Sequence, residues 1–202
     1  MSETLSTPPP IVVKLGGSLI GSPRLPTLLA GLARAGAPYV VVAGGGPLAD
    51  GVRDLQPRLS LSDAACHRMA ILAMEQTAIA FADMVPGLVL ADSAEAIARA
   101  HAQGRTALWQ PARMALAARE LPESWELTSD SLAAWLAGEI GAARLILVKS
   151  APAPAGSTPV DWAASGLVDP LFPCIAAKVT SAVDIVTINV MVTSLAQGSL
   201  AA

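Results

Sequence analysis

Short apolar runs recur along the chain, and they are separated by segments in which apolar residues follow a helical spacing. Runs of Val, Ile and Leu with almost no internal polar residue are typical of strands that are buried on both faces of a sheet. A chain built on such strands needs a covering layer on each side. The pattern predicts strands at residues 11–15, 39–43, 88–90, 106–109 and 144–149.

The segments between these strands have the spacing of helices. Pro47 suits the first turn of one of them, and Ser62 or Asp63 suits the cap before the next. Strands that alternate with helices build a mostly parallel sheet. We therefore predict an α/β fold, a three-layer sandwich with a mostly parallel central sheet. The predicted helices lie at residues 27–34, 47–55, 64–84 and 93–103.

The predicted helix at residues 64–84 is apolar around most of its circumference, with Met69, Leu72 and Phe81 pointing in different directions. A helix of this kind is buried, either in the core or between subunits. One small sheet cannot cover such a helix on all sides. We therefore expect a homo-oligomer, a dimer or larger, in which this helix forms a symmetric contact.

Two of the predicted strands end in glycine-rich turns, and Lys14 adds a flexible positive charge at the first turn alone. Glycine lets backbone N–H groups approach a ligand that a Cβ would keep away, so such turns bind anions. The first turn is the better candidate for binding a phosphate group that is transferred. We expect both turns at the carboxyl ends of adjacent parallel strands, facing one crevice. The turns are Gly16-Gly17-Ser18 and Gly44-Gly45-Gly46-Pro47.

The length of 202 residues fits one α/β domain, and no segment resembles a linker between two domains. We predict a disordered tail at residues 1–10 and a single domain at residues 11–202. The mean hydropathy of +0.54 raises the question of a membrane protein. However, no stretch of 18 residues is apolar and free of charge, Gly or Pro. Because residues 1–10 also lack a targeting pattern, we expect a cytoplasmic protein without membrane contact.

The charge and cysteine content exclude further classes. A net charge of −3 and 13 thinly spread basic residues argue against nucleic acid as a partner. Two cysteines, Cys66 and Cys174, are too few for a disulfide scaffold and are typical of small buried apolar residues. The neighbours Cys66 and His67 lack a second close pair, so no metal site is predicted.

Three motifs occur in a fixed order along most of the chain: Lys14-x-Gly16-Gly17-Ser18, Gly44-Gly45-Gly46-Pro47 and Thr128-Ser129-Asp130-Ser131. In these motifs the sequence resembles the amino acid kinase family, to which aspartate, glutamate and uridylate kinases belong. The resemblance implies an amino acid kinase-like fold and an ATP-dependent small-molecule kinase. Mg²⁺ would accompany ATP, and a small molecule would accept the phosphoryl group.

The resemblance also implies roles for single residues. Lys14, Asp130 and Lys178 would be catalytic, with Asp130 orienting the lysines by charge-assisted hydrogen bonds. Lys149-Ser150 stands where many members have Thr-Asp, and either Lys178 or Lys149 would hold phosphate charge from the nucleotide side. Nucleotide binding is implied for Gly16, Gly17, Ser18, Lys149 and Ser150. Acceptor binding is implied for Gly44, Gly45, Gly46, Asp50, Arg53 and Ser129.

Each assignment has a structural alternative. Lys14 suits a solvated strand end, and Asp130 suits a helix cap or first turn. Asp50 and Arg53 have the spacing of a surface ion pair on a helix. His67, near the start of a long apolar helix, is typical of a buried core or interface histidine.

Residues 121–137, with 44–50 before them and 147–150 after them, resemble a subgroup of short kinases of methanofuran-type cofactor biosynthesis. This resemblance implies that an aminomethyl-furanmethanol phosphate is converted to its diphosphate. Two other functions stay open. One is a kinase of another small carboxylate or phosphate, and the other is a non-catalytic nucleotide- or oxyanion-binding protein of the same fold.

Overall fold

A computed structural model describes residues 8–35 and 38–198, and most of the predicted tail therefore lies outside the described residues. Within these residues, six strands form one sheet in the order β3-β4-β2-β1-β5-β6, and every neighbouring pair is parallel. The predicted three-layer α/β fold is confirmed. The strands are β1 (Ile11–Leu15), β2 (Tyr39–Ala43), β3 (Leu88–Ala91), β4 (Thr106–Trp109), β5 (Arg144–Lys149) and β6 (Ala182–Thr187).

Helices connect the strands and cover both faces of the sheet. A single turn of 3₁₀ helix at Gly17–Leu19 follows β1 directly. Among the helices of the described residues, none is long and apolar enough to cross a membrane. The α-helices are α1 (Leu25–Arg34), α2 (Gly46–Leu59), α3 (Asp63–Met84), α4 (Ala94–Ala102), α5 (Ala112–Ala115), α6 (Ser129–Glu139), α7 (Pro159–Ala164), α8 (Phe172–Ala176) and α9 (Ile188–Gln197).

The core lies in two layers because successive side chains of each strand point to opposite faces of the sheet. On β1, Val12 packs in the layer that contains α4 and α6, whereas Val13 packs in the layer that contains α1 and α9. Both valines are fully buried. A sheet covered on both faces in this way exposes its functional groups at the strand ends, where the chain leaves the core.

Helix α3 begins one residue before the predicted start, and the Ser62 hydroxyl caps it by accepting a hydrogen bond from the Ala65 N–H at 3.2 Å. It contributes Ile71 to one core layer and Phe81 to the other. Other apolar side chains of α3 stay exposed: Leu72, Ile79 and Met84. The symmetric contact through this helix remains a prediction.

The apolar pattern did not predict β6 and α9. Strand β6 lies at the sheet edge beside β5, and its side chains are only partly buried. It contains Asp184, which pairs with Arg144 of β5 at 2.8 Å. An edge strand that is half exposed lacks the continuous apolar run by which the buried strands are recognised.

Candidate active site

The two glycine turns lie side by side at the carboxyl ends of β1 and β2, as predicted. The Gly44 N–H donates to the Leu15 carbonyl at 2.9 Å, which joins the second turn to the end of β1. The Gly16 N–H donates to the Val148 carbonyl of β5 at 3.1 Å. The three central strands therefore end together, and the two turns that follow β1 and β2 line one trough at this edge of the sheet, although the N–H groups of Gly16 and Gly44 are used in joining the strands.

Glycine is required where the two turns touch. A Cβ on Gly17 would lie 2.7 Å from the backbone nitrogen and Cα of Gly46, closer than real Cβ contacts come. Gly46 itself has a φ of +52°, a conformation that favours glycine. The close approach of the turns therefore requires glycine at both contacting positions, Gly17 and Gly46.

We expect Gly17→Ala to lower the free energy of unfolding by about 1–3 kcal/mol, because the methyl group meets backbone that cannot move aside cheaply. Gly51 in the interior of α2 offers a matched control, since a Cβ there meets nothing within 4 Å. Gly51→Ala should raise stability by about 0.5–1 kcal/mol through helix propensity. Urea unfolding of both variants is the measurement, and a Gly17→Ala protein as stable as the parent would contradict the close packing of the turns.

Three charged side chains meet beside these turns. Lys14 is the fourth residue of β1, Lys149 ends the neighbouring strand β5, and Asp130 is the second residue of α6. Lys14 Nζ lies 2.8 Å from Asp130 Oδ1, and Lys149 Nζ lies 2.7 Å from Asp130 Oδ2. Lys14 is 3% exposed and Asp130 is 5% exposed. One buried carboxylate thus holds two lysines at the ends of adjacent parallel strands.

The electrostatics of this cluster favour an ionised carboxylate. Burial by itself would raise the pKa of Asp130, but Lys14 and Lys149 outweigh burial and hold this pKa below its ordinary value. Burial and the neighbouring Lys14 charge lower the pKa of Lys149, against the opposing effect of Asp130. Since two lysines share one carboxylate, the cluster has a net positive charge available for an anionic ligand.

The start of α6 is held from a distant part of the chain. Asp169, in the loop between α7 and α8, accepts hydrogen bonds from Thr128 N at 3.0 Å, Thr128 Oγ1 at 2.8 Å and Ser131 N at 3.0 Å. The Ser131 hydroxyl donates to the other oxygen of Asp169. The Thr128 side chain, at the cap position, makes no capping bond to the helix itself. Asp169 therefore takes the place of the cap.

A cavity of about 590 Å³ opens beside the second glycine turn. It runs from the start of α2 to the buried side of α3 and to the start of α6. The glycine turns contribute backbone to its lining, and apolar side chains contribute much of the rest. Lining residues include Gly17, Gly44, Gly45, Gly46, Arg53, His67, Ile71, Met74, Trp125, Ser129 and Leu132.

Arg53 and Trp125 form one side of this cavity. The Arg53 guanidinium lies 4.3 Å from the centre of the Trp125 ring, and its Nη1 is 3.1 Å from Asp50 Oδ1. The indole N–H of Trp125 donates to Gln56 Oε1 at 2.7 Å, which fixes the ring. His67, on the α3 side, is buried, and burial lowers its pKa. The Arg53 guanidinium and the fixed Trp125 ring therefore lie against each other at the cavity.

The other predicted site residues are distributed around this arrangement. Ser18 is exposed in the 3₁₀ turn, and Ser150 is exposed directly after β5. Ser129 is the first residue of α6. Lys178 is exposed in the turn between α8 and β6, whereas both oxygens of Asp130 are engaged by Lys14 and Lys149. The catalytic role of Lys178 stays a prediction, and the geometry favours Lys149 as the second lysine.

Sequence reasoning missed Asp169 and Trp125. Asp169 lies 41 residues from Thr128, and its neighbour Pro170 is typical of an ordinary turn. Trp125 lies within residues 121–137, but nothing in its spacing indicates a contact with Arg53. Within the described residues, no group of three or more His, Cys, Asp or Glu side chains could hold a metal ion.

Comparison with curated proteins finds a related kinase. A curated relative is the [5-(aminomethyl)furan-3-yl]methyl phosphate kinase of Methanocaldococcus jannaschii, 29% identical over 128 residues. The match covers 62% of this chain but only 58% of the relative's length.

Solved structures of uridylate kinases share the fold. The Archaeoglobus fulgidus uridylate kinase is 19% identical with a TM-score of 0.66, and the match covers 92% of this chain and 95% of that one. For the Ureaplasma parvum UMP kinase the values are 13% identity, a TM-score of 0.68, and coverage of 95% and 96%.

A match to a sequence-family model identifies the family. The model of the amino acid kinase family matches residues 9–153, a span that includes both glycine turns, Lys14, Asp130 and Lys149. The chain belongs to the amino acid kinase family.

Proposed function

We propose that this protein is an ATP-dependent kinase that transfers the γ-phosphoryl group to a small phosphate monoester. The observation that carries the proposal is the buried cluster in which Asp130 holds Lys14 and Lys149 beside two facing glycine turns. Phosphoryl transfer needs positioned positive charge and backbone N–H groups more than it needs covalent chemistry. The cluster and the turns supply both at one edge of the sheet.

In the proposed reaction, an oxygen of the acceptor phosphate bonds to the γ-phosphorus as the bond from that phosphorus to the β–γ bridging oxygen breaks. The products are ADP and a diphosphate monoester. Because an ionised phosphate carries no proton to remove, no general base is required. Asp130, whose pKa is lowered by two lysines, instead orients their ammonium groups toward the transferred phosphoryl.

The nucleotide is assigned to the side of Gly16, Gly17 and Lys149. The loop between β5 and α7 follows Lys149 at the carboxyl end of the sheet, where ligands of open α/β sheets bind. Mg²⁺ would be held by phosphate oxygens and water, since both Asp130 oxygens are engaged by lysines. Its contribution would be to neutralise the charge of the triphosphate.

The acceptor is assigned to the 590 Å³ cavity. Its phosphate would lie at the Gly44–Gly46 turn, where α2 begins and the N–H groups of the helix start lack partners inside the helix. Ile71, Met74 and Trp125 offer an apolar wall for the rest of the molecule. A small ring that carries a phosphomethyl group suits this lining, and the curated relative is named for such a substrate. We propose aminomethyl-furanmethanol phosphate as the acceptor.

We expect Arg53→Met to raise the KM for the acceptor about tenfold while kcat and the KM for ATP change little, since Arg53 binds charge outside the reacting centre. Arg58, exposed in the last turn of the same helix, is the matched control. Arg58→Met should leave all three constants close to those of the parent. Steady-state kinetics with varied acceptor provide the comparison, and equal acceptor KM in both variants would reduce Arg53 to a surface ion pair.

The proposal is tested by ADP release from ATP and Mg²⁺ in the presence of single candidate acceptors. The panel contains aminomethyl-furanmethanol phosphate, UMP, simple phosphate monoesters, acetylglutamate and aspartate. We expect turnover that depends on a phosphate monoester. Turnover with a carboxylate alone would favour a carboxylate kinase, and ATP binding without turnover on any acceptor would favour a non-catalytic protein.

A further inference from the structure

Asp169 is buried, 7% exposed, and the four hydrogen bonds described for its side chain come from Thr128, the cap residue of α6, and from Ser131 in its first turn. Two of the four donors are backbone N–H groups at the helix start, which have no partner inside the helix. The other two are the hydroxyls of Thr128 and Ser131, on either side of Asp130. One carboxylate thus binds Thr128, two residues before Asp130, and Ser131, the residue after it.

The backbone around Asp169 is itself fixed. The Phe172 N–H donates to the Asp169 carbonyl at 3.1 Å, and the Leu171 N–H donates to the Glu126 carbonyl at 3.1 Å. Phe172 is fully buried and Val168 is 4% exposed, so core side chains flank the loop on both sides. The carboxylate therefore has little freedom to follow α6 if the helix shifts.

We propose that Asp169 is a positioning residue for the reaction: it caps α6 from the chain segment between β5 and β6, and so holds Asp130 between Lys14 and Lys149. This inference rests on the proposed kinase function for its rate measurement. The phosphoryl group is stabilised only if both lysines point correctly, and a displacement of about 1 Å at a reacting centre can cost on the order of a hundredfold in rate. The length of the Asp169 side chain sets the position of the α6 start, and with it the position of Asp130.

Length and charge can be separated by substitution. Asp169→Asn keeps an acceptor oxygen for the two N–H groups, and both hydroxyls can rotate to suit the amide. Asp169→Glu keeps the charge but adds a methylene in a buried place and pushes the start of α6 away. We expect the Asn variant to retain kcat within about threefold and the Glu and Ala variants to lose about 10- to 100-fold, with both KM values nearly unchanged.

Ser93→Ala provides the matched control, because Ser93 caps α4 by accepting a hydrogen bond from Ala96 N, and α4 takes no part in the site. It should lower the melting temperature, as Asp169→Ala does, but leave kcat unchanged. If Asp169→Glu and Asp169→Ala keep the parent kcat, or if Asp169→Asn is as damaged as Asp169→Ala, the proposal is overturned.

A second measurement does not depend on turnover. The chain contains three lysines, so ε-¹³C-lysine NMR gives a simple spectrum in which Lys149→Arg assigns one signal. In the Glu variant the Lys149 signal should move toward that of an exposed lysine such as Lys178. In the Asn variant it should move less, and only through loss of the Asp169 charge, which raises the pKa of Lys149. An unmoved Lys149 signal in the Glu variant overturns the proposal for Asp169, whether or not the parent is an active kinase. Absence of kinase activity in the parent would count only against the proposed function.

Discussion

Replacing Lys14 by alanine should lower kcat by about 100- to 1,000-fold, while the KM for ATP changes only a few-fold. Lys14 is 3% exposed and its ammonium group lies against Asp130, so its charge acts where water does not screen it. A charge that acts mainly in the transition state affects turnover more than ground-state binding. Because the alanine leaves Asp130 paired with Lys149, the site keeps part of its electrostatic balance.

Rapid-quench or coupled ADP assays at saturating ATP measure this effect. Arg99→Ala, an exposed position on α4, removes the same charge far from the site and serves as control. The geometry further predicts that Lys149→Ala loses far more turnover than Lys178→Ala. Unchanged turnover in Lys14→Ala would remove the proposed mechanism altogether.

Replacing Asp130 by asparagine should also lower kcat by about 100-fold or more, although the side chain keeps its shape. Asparagine could still serve the helix start, and Asp169 already provides the cap there. What the substitution removes is the charge that holds the two lysines. Breaking a buried ion pair leaves uncompensated charge at a cost of about 3–5 kcal/mol, so circular dichroism must first show that the variant is folded.

The pH dependence of Asp130→Asn has a defined sign. In the parent, Asp130 raises the pKa of Lys149 and opposes the effects of burial and of Lys14. Without that carboxylate, the pKa of Lys149 falls further, and Lys149 loses its proton at a lower pH. The alkaline limb of the kcat–pH profile should therefore move to lower pH in the variant. A folded variant with parental turnover and an unmoved limb would reduce Asp130 to a structural residue.

Much of the fold could be predicted from the sequence because buried parallel strands are continuous apolar runs. Strands β1, β2 and β5 and helix α3 lie within one or two residues of the prediction. Strand β6 could not be predicted in this way, since it lies at the sheet edge and carries Asp184 among partly exposed neighbours. The limit is physical: half-buried edge strands do not need an uninterrupted apolar sequence.

The site likewise has a part that local sequence predicts and a part that it does not. Glycine turns and Lys14 are local in sequence, so their motif predicted a shared trough. The choice between Lys149 and Lys178 depends on the parallel pairing of β5 with β1, which sets Lys149 one residue beyond Val148, the partner of Leu15. The contact between Asp169 and Thr128 joins residues 41 apart and leaves no periodic signal. Long-range pairing of this kind is decided by tertiary packing.

The central claim is that a γ-phosphoryl group moves from ATP to a phosphate monoester, and ³¹P NMR of the reaction mixture tests it most directly. Parent protein, ATP, Mg²⁺ and aminomethyl-furanmethanol phosphate should give ADP together with a second pair of coupled phosphorus signals from a new diphosphate monoester. Both sets should grow at equal rates, and about 100- to 1,000-fold more slowly with Lys14→Ala. Formation of ADP with inorganic phosphate alone, or with an acyl phosphate from a carboxylate acceptor, would contradict the account.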